Sequence, residues 1–271
     1  MKPAIVIMSM NHPDAKIFSQ LSSVKLDKFL FVRKYQYDDY NMNVPFGWRV
    51  LKLPDWVEEA GTTRKAMMLW LKKHGYSWAF QLDDDVGYLG NVELRPEGWK
   101  WEYTGKDKVY FKTSVFNKWY KIAKHYKLSL SAPCHRFHDH NRHGNVIHVN
   151  KAACIQCVLV HIPDVLAVGN YRDTRKYGVD DYTLQYFLMK AGYKCGMIGN
   201  LLYDSPAIGN PKDHQATIDK YKTYIKLFRE NVCSDESLVS TKVTRSGVPS
   251  LQFVWKNWGS KIVEMEDIDE I

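Results

Sequence analysis

Three consecutive carboxylates, Asp83, Asp84 and Asp85, follow the apolar run Trp78-Ala79-Phe80, which reads as the end of a buried strand. A buried strand does not hold ionised carboxylates, because each one taken from water is costly unless it is paired or bound to a metal. The acids are therefore expected just past the strand's C-terminal end, where open α/β sheets place their ligands. In this Asp-x-Asp spacing, Asp83 and Asp85 can face one divalent cation. Hard oxygen donors suit Mg2+ or Mn2+, ions usually shared with a diphosphate. A solvated acidic turn is the competing reading.

Other stretches carry chemistry of their own. Asp180-Asp181 precede a segment with Leu184, Phe187, Leu188 and Ala191 on one face. Acids there complement the helix macrodipole, so capping is one sufficient role. Between Glu93 and Lys112, bases and rings interleave, with Trp99, Trp101, Lys106, Lys108 and Lys112 among them. Flat rings stack on bases or sugars while cations track phosphates. An amphipathic hairpin packed on the core is the alternative. The tract Cys134 to His148, which includes His138 and Arg142, is rich in histidine but lacks the paired spacing of a zinc site. Structural zinc, a flexible acceptor-facing loop and a plain surface turn are the readings left open. Cys154-Ile155-Gln156-Cys157 lies in an apolar run from 152 to 162 that predicts a buried strand, so its thiols are assigned to the core. Arg245 and Lys256 either close over a diphosphate or are surface charges.

The elements that must position these groups alternate. Strands are predicted at Ala4 to Met10, Lys28 to Val32, Trp48 to Leu53 and Trp78 to Leu82, with a helix from Ala15 to Leu21. A polar loop is predicted from Arg33 to Phe46. Gly61-Thr62-Thr63 open a helix whose face carries Met67, Trp70, Leu71 and His74, and Gly75 stops it. Later come a helix from Ser114 to His125, strands from Leu128 to Ala132 and Tyr193 to Ile198, and an amphipathic helix through Ile218 and Phe228. No Gly-x-Gly-x-x-Gly follows the first strand and no P-loop occurs, which argues against a classical dinucleotide fold or a P-loop enzyme.

The chain of 271 residues, 45% apolar, suits one large α/β domain or one domain with an appendage. No apolar run is long enough to cross a membrane, and the first ten residues resemble a strand rather than a signal peptide. Five cysteines at irregular spacing fit a reduced, cytoplasmic protein. The net charge is +8, yet the last eight residues hold five acids. Without them, 38 bases face 25 acids, or +13, an excess that favours a polyanionic partner such as nucleic acid.

Taken together, the strand-loop start from Met8 to Asn11, Gly61-Thr62-Thr63-Arg64, Asp83-Asp84-Asp85 and the block Gly178-Val179-Asp180-Asp181-Tyr182-Thr183-Leu184-Gln185 with Gly192-Tyr193 resemble the GT-A glycosyltransferases. More narrowly, the chain looks like the TET-associated glycosyltransferases of phages. Those are similar to the base J glucosyltransferases and attach sugars to hydroxymethylated pyrimidines in DNA. The resemblance implies a GT-A-like, Rossmann-type mixed sheet flanked by helices in one domain, residues 1–231. An extension, residues 232–271, would close over the donor site and end in the acidic tail.

Roles are assigned by resemblance, residue by residue. Asp83 and Asp85 would hold Mn2+ or Mg2+ against the diphosphate of a UDP-sugar, and Asp84 would touch the ribose. Ser9 and Asn11 would line the nucleoside pocket, and Arg64 would neutralise the donor or contact its sugar. Asp180-Asp181 stand where the family usually has Glu-Asp, with Asp181 as the base and Asp180 one methylene shorter. His214 resembles a late histidine that completes the metal shell. The implied acceptor is 5-hydroxymethylcytosine or 5-hydroxymethyluracil in DNA, in the cytoplasm of an infected host. A glycan or protein acceptor, a non-catalytic nucleic-acid-binding protein and a two-metal nuclease are the competing readings.

Overall fold

Strand β1 (Ala4–Met8) is apolar at every position and is covered on both faces. Ala4 and Val6 enter one core while Ile5 and Ile7 enter the other, as the two-residue period of a strand requires. The computed structural model describes residues 3–95, 98–101, 110–135, 142–205, 214–244 and 247–266, with the backbone alone for 93–95 and 98–101.

Around β1 the chain builds an 11-stranded sheet. β2 (Lys28–Val32) and β4 (Trp78–Asp83) flank β1 in parallel, and β3 (Trp48–Lys52) runs parallel beside β2. Beyond β4 the sheet is mixed. β9 (Cys157–His161) is antiparallel to β4 and to β7 (Leu128–His135), and β10 (Lys194–Asp204) runs parallel to β7. β8 (Val146–Val149) and β13 (Lys261–Glu264) finish that edge in antiparallel pairs. β10 changes partner along its length. Gly196 to Ile198 pair with β8, while Leu201 to Asp204 pair with β5 (Tyr88–Arg95), which forms a hairpin with β6 (Gly98–Trp101).

Helices cover both faces. α1 (Lys16–Gln20), α2 (Tyr37–Asn43) and α4 (Thr113–His125) bring Phe18, Tyr40, Phe116 and Trp119 to one core. α3 (Ala60–Lys73), α5 (Ile162–Ala167) and α7 (Asp180–Lys190) bring Met67, Leu71, Val165 and Leu184 to the other. The short α6 (Thr174–Tyr177) lies against α8 (His214–Asn231), whose Phe228 is fully buried. The expected mixed α/β sheet with flanking helices is therefore the architecture of the chain. Among the described residues, no helix is long and apolar enough to cross a membrane. All five cysteines are buried and none forms a disulfide, as core thiols should be.

Two local expectations change. The stretch 33–46, expected as a polar loop, contains α2, because Tyr37, Tyr40 and Val44 recur at helical spacing and pack on the core. The strand expected over 152–162 is confined to Cys157–His161, because Gln156 adopts φ 62 and breaks the extended run.

The C-terminal segment contributes more than a tail. β11 (Val239–Val243) and β12 (Pro249–Phe253) pair as a small separate sheet. Phe253 stacks on Tyr182 with ring centroids 5.4 Å apart, and Trp258 meets Tyr186 edge-on, so the segment packs on α7. β13 then adds an outer strand to the main sheet.

Candidate active site

The strand order β3-β2-β1-β4 sends the chain to one side of β1 and then to the other. Such a reversal opens a crevice at the C-terminal ends of the two central strands, and ligands of open α/β sheets bind there. Met8 and Asp83 are paired across it. The acidic triplet thus emerges beside the loop that follows β1, as the polarity of the sequence required.

That loop and the triplet are hydrogen-bonded together. The Ser9 hydroxyl donates to Asp84 and lies 2.7 Å from the Tyr40 hydroxyl. His12 Nδ1 is 3.2 Å from Asp84 Oδ2, and the His12 backbone N–H donates to Tyr40 at 2.9 Å. Tyr40 is fully buried and α2 holds it in place, so the helix missed from sequence is what fixes this loop. A cleft of about 440 Å³ opens here, lined by Met8, Ser9, His12, Phe31, Arg33 and Asp84 among others. Asn11, at φ 65, is exposed and accepts a hydrogen bond from Gln36 rather than lining the cleft.

Arg64 lies below the acids and is buried. Its Nη2 donates to Asp83 Oδ1 at 3.0 Å, and its Nη1 donates to Asp180 Oδ2 at 2.9 Å and to Asp181. Burial opposes the guanidinium's charge, but Asp180, Asp181 and Asp83 outweigh it and hold Arg64 protonated. Burial pushes the Asp83 carboxyl up to about 6, with Arg64 opposing and Asp85 adding to the rise. Burial also raises Asp181, again against Arg64 and with Asp180 and Asp83 reinforcing it. One cation therefore serves three carboxylates, and Asp85 adds a fourth negative charge nearby.

Local structure explains why Arg64 arrives there. Glu59 is the N-cap of α3, and its carboxylate accepts from the N–H of Gly61 at 3.1 Å and of Thr62 at 2.7 Å. The same carboxylate accepts from the Thr174 N–H at 3.1 Å and from its hydroxyl, which ties α3 to the segment leading into α7. A Cβ at position 61 would stand 2.0 Å from the Arg172 carbonyl oxygen, so only glycine permits this approach. Asn170 Nδ2 adds a further tie to the Lys65 carbonyl at 3.1 Å.

Gln156 completes the frame. Its carbonyl accepts the Asp83 N–H at 3.0 Å, and its own N–H stabilises the charged form of Asp181. A left-handed backbone at a non-glycine residue costs roughly 1–2 kcal/mol, so the surrounding contacts must enforce it.

Asp83 and Asp85 offer oxygen donors alone, and of Asp83 only Oδ1 is engaged by Arg64 among the described residues. Two carboxylates with an excess of negative charge suit Mg2+ or Mn2+, which complete their shells with water and phosphate oxygens. Among the described residues, no three His, Cys, Asp or Glu side chains gather to hold a metal. His214, exposed at the start of α8, lies near the turn at Gly247.

Arg142 acts on Tyr182, the neighbour of Asp181, whose hydroxyl burial and Asp181 push up to about 12. Lys112 is the N-cap of α4, and Lys256 is exposed in a turn that packs through Trp255 and Trp258. Trp99 and Trp101 lie in β6, where only the backbone is described. Lys106, Lys108, His138 and Arg245 lie outside the described residues. His12, Glu59 and Gln156 are members of the site that sequence reasoning did not single out.

No protein-family model matches the chain, and no curated protein sequence does. Among solved structures, the chain is similar to Staphylococcus aureus TarS residues 1–349 in complex with UDP. The identity is 9% and the TM-score 0.47, over 88% of this chain and 72% of that one. It is also similar to CMP:2-keto-3-deoxy-manno-octonic acid synthetase complexed with CTP, at 10% identity and a TM-score of 0.46, over 83% of this chain and 99% of that one. Both likenesses are distant.

Proposed function

We propose that the protein transfers a sugar from a nucleoside diphosphate donor, expected to be a UDP-sugar, to a hydroxyl acceptor. The observation that supports this best is the meeting of two carboxylate sets at one crevice. Asp83 to Asp85 end a central strand beside the Ser9–His12 loop, and Arg64 joins Asp83 to Asp180 and Asp181.

In the inverting course, the acceptor oxygen attacks the anomeric carbon as the bond to the diphosphate oxygen breaks, through an oxocarbenium-like state. The electron pair leaves with the diphosphate. Asp83 and Asp85 would hold a divalent cation, which when bound neutralises that leaving charge. Arg64 supplies fixed positive charge beside Asp83 and keeps Asp180 and Asp181 oriented. Asp181 takes the acceptor's proton. Its burial makes it a stronger base than an exposed carboxylate.

The acceptor we propose is a 5-hydroxymethylpyrimidine in DNA. The +13 body and the alternation of bases and aromatics from Glu93 to Lys112 support it. The hydroxymethyl group of such a base projects into the major groove. The test is one reaction of protein, Mn2+ or Mg2+, a panel of UDP-sugars and DNA containing 5-hydroxymethylcytosine or 5-hydroxymethyluracil. A sugar-sized mass increase on the digested nucleoside, absent with the Asp83→Ala/Asp85→Ala variant, is the expected result. UDP release without nucleoside modification would reject the DNA acceptor, keep the nucleotide-sugar donor and move the search to another acceptor.

A further inference from the structure

Gln156 joins the two carboxylate sets through its backbone, with its carbonyl on the Asp83 N–H and its N–H acting on Asp181. Its side chain is also placed. Oε1 accepts from the Tyr203 hydroxyl at 3.3 Å and from Ser205 Oγ at 3.4 Å, and Ser205 Oγ lies 3.2 Å from His135 Nε2. Tyr203, Ser205 and His135 are all buried, so the amide oxygen is held by a fixed wall. With that oxygen engaged, the NH2 is the remaining end. Gln156 is half-buried, and among the described residues no acceptor meets its Nε2.

The group that lies between a leaving diphosphate and a base carboxylate during transfer is the sugar itself. We propose that Gln156 is a specificity-determining residue that presents its Nε2–H to a hydroxyl of the transferred sugar, between Asp83 and Asp181. This inference rests on the nucleotide-sugar reading above. A neutral amide donor suits a neutral hydroxyl, and a donor so placed loses its partner when a sugar lacks that hydroxyl.

Two variants separate side chain from backbone. Gln156→Gly accepts the left-handed backbone and deletes the amide. Gln156→Glu keeps an oxygen for Tyr203 and Ser205 and replaces the donor. Calorimetry would give Kd for UDP, UDP-glucose, UDP-galactose and UDP-N-acetylglucosamine, each with Mn2+. UDP affinity, measured for each variant, is the reference against which its UDP-sugar affinities are compared. The extra affinity that the preferred sugar confers over UDP should fall about five- to tenfold. An unchanged sugar contribution in both variants overturns the inference and leaves the nucleotide-sugar reading intact. An equal loss for UDP and for every UDP-sugar makes Gln156 a structural joint and also overturns it. Wild-type protein that binds no UDP and no UDP-sugar overturns both the inference and the reading beneath it.

Discussion

Arg64 and Asp83 are 19 residues apart in the chain, on a helix and at a strand end, and their side chains meet at 3.0 Å. The other guanidinium nitrogen reaches Asp180 at 2.9 Å, 116 residues away. One buried cation thus spans the gap between the carboxylates after β4 and those that open α7. It fixes the separation of the two sets and limits their mutual repulsion.

Removing that cation should be severe. Arg64→Met leaves three carboxylates without their shared partner, and breaking a buried ion pair in this way costs about 3–5 kcal/mol. Denaturant unfolding of the variant against wild type measures it. A midpoint within error of wild type would mean that the acids are solvated rather than bound to Arg64.

The approach of α3 to the α6–α7 segment depends on residue 61. Gly61→Ala places a methyl group 2.0 Å from the Arg172 carbonyl, and backbone must move to admit it. Overpacking of this kind costs about 1–3 kcal/mol. UDP-sugar turnover should fall more than UDP affinity, because the displaced helix carries Arg64. Equal losses in both would place the effect on the donor pocket instead.

Asp83 predicts an unusual pH dependence in metal-free buffer. Its carboxyl is raised from 3.8 to about 6, so the folded state binds a proton that the unfolded state has already released. Its contribution to stability is therefore greatest below pH 3.8 and is lost as the pH rises through about 6. Asp83→Asn should flatten that decline, and at pH 7 it should be the more stable protein by on the order of 1–3 kcal/mol. Mn2+ with UDP should raise the Tm of wild type and not that of the variant. A variant less stable than wild type at pH 7 without metal would contradict this.

The acceptor proposal has a signature in salt dependence. If Lys106, Lys108 and Lys112 each meet a phosphate, replacing all three with alanine should reduce the slope of log K against log salt by about 2.7 for duplex DNA. Fluorescence anisotropy across a salt series reads it. An unchanged slope removes this stretch from the DNA interface.

Much of this site was legible because strands and helices write their periods into the sequence. The Asp triplet after an apolar run, and the apolar faces of α3 and α7, located both carboxylate sets. What stayed hidden depends on contacts across the fold. Nothing at Arg64 announces partners 19, 116 and 117 residues away. The cap of α3 reverses the usual order, with Glu59 at the N-cap and Thr62 three residues on, so the helix begins before the Gly-Thr-Thr signal. In α2, aspartates and tyrosines disguised an apolar stripe. Gln156 carries no mark of its left-handed backbone, because glutamine has no special preference for it.

A metal-assisted nucleotide-sugar site in the crevice between β1 and β4 requires UDP and Mn2+ to bind together through Asp83 and Asp85. Calorimetric titration of UDP into the wild-type protein and into Asp83→Ala/Asp85→Ala, each with and without Mn2+, is the decisive experiment. Wild type should bind saturably and should strengthen by about tenfold or more with Mn2+, while the variant should show no Mn2+ effect. Wild-type protein that binds no UDP, or binds it identically with and without Mn2+ and both aspartates, would refute the site.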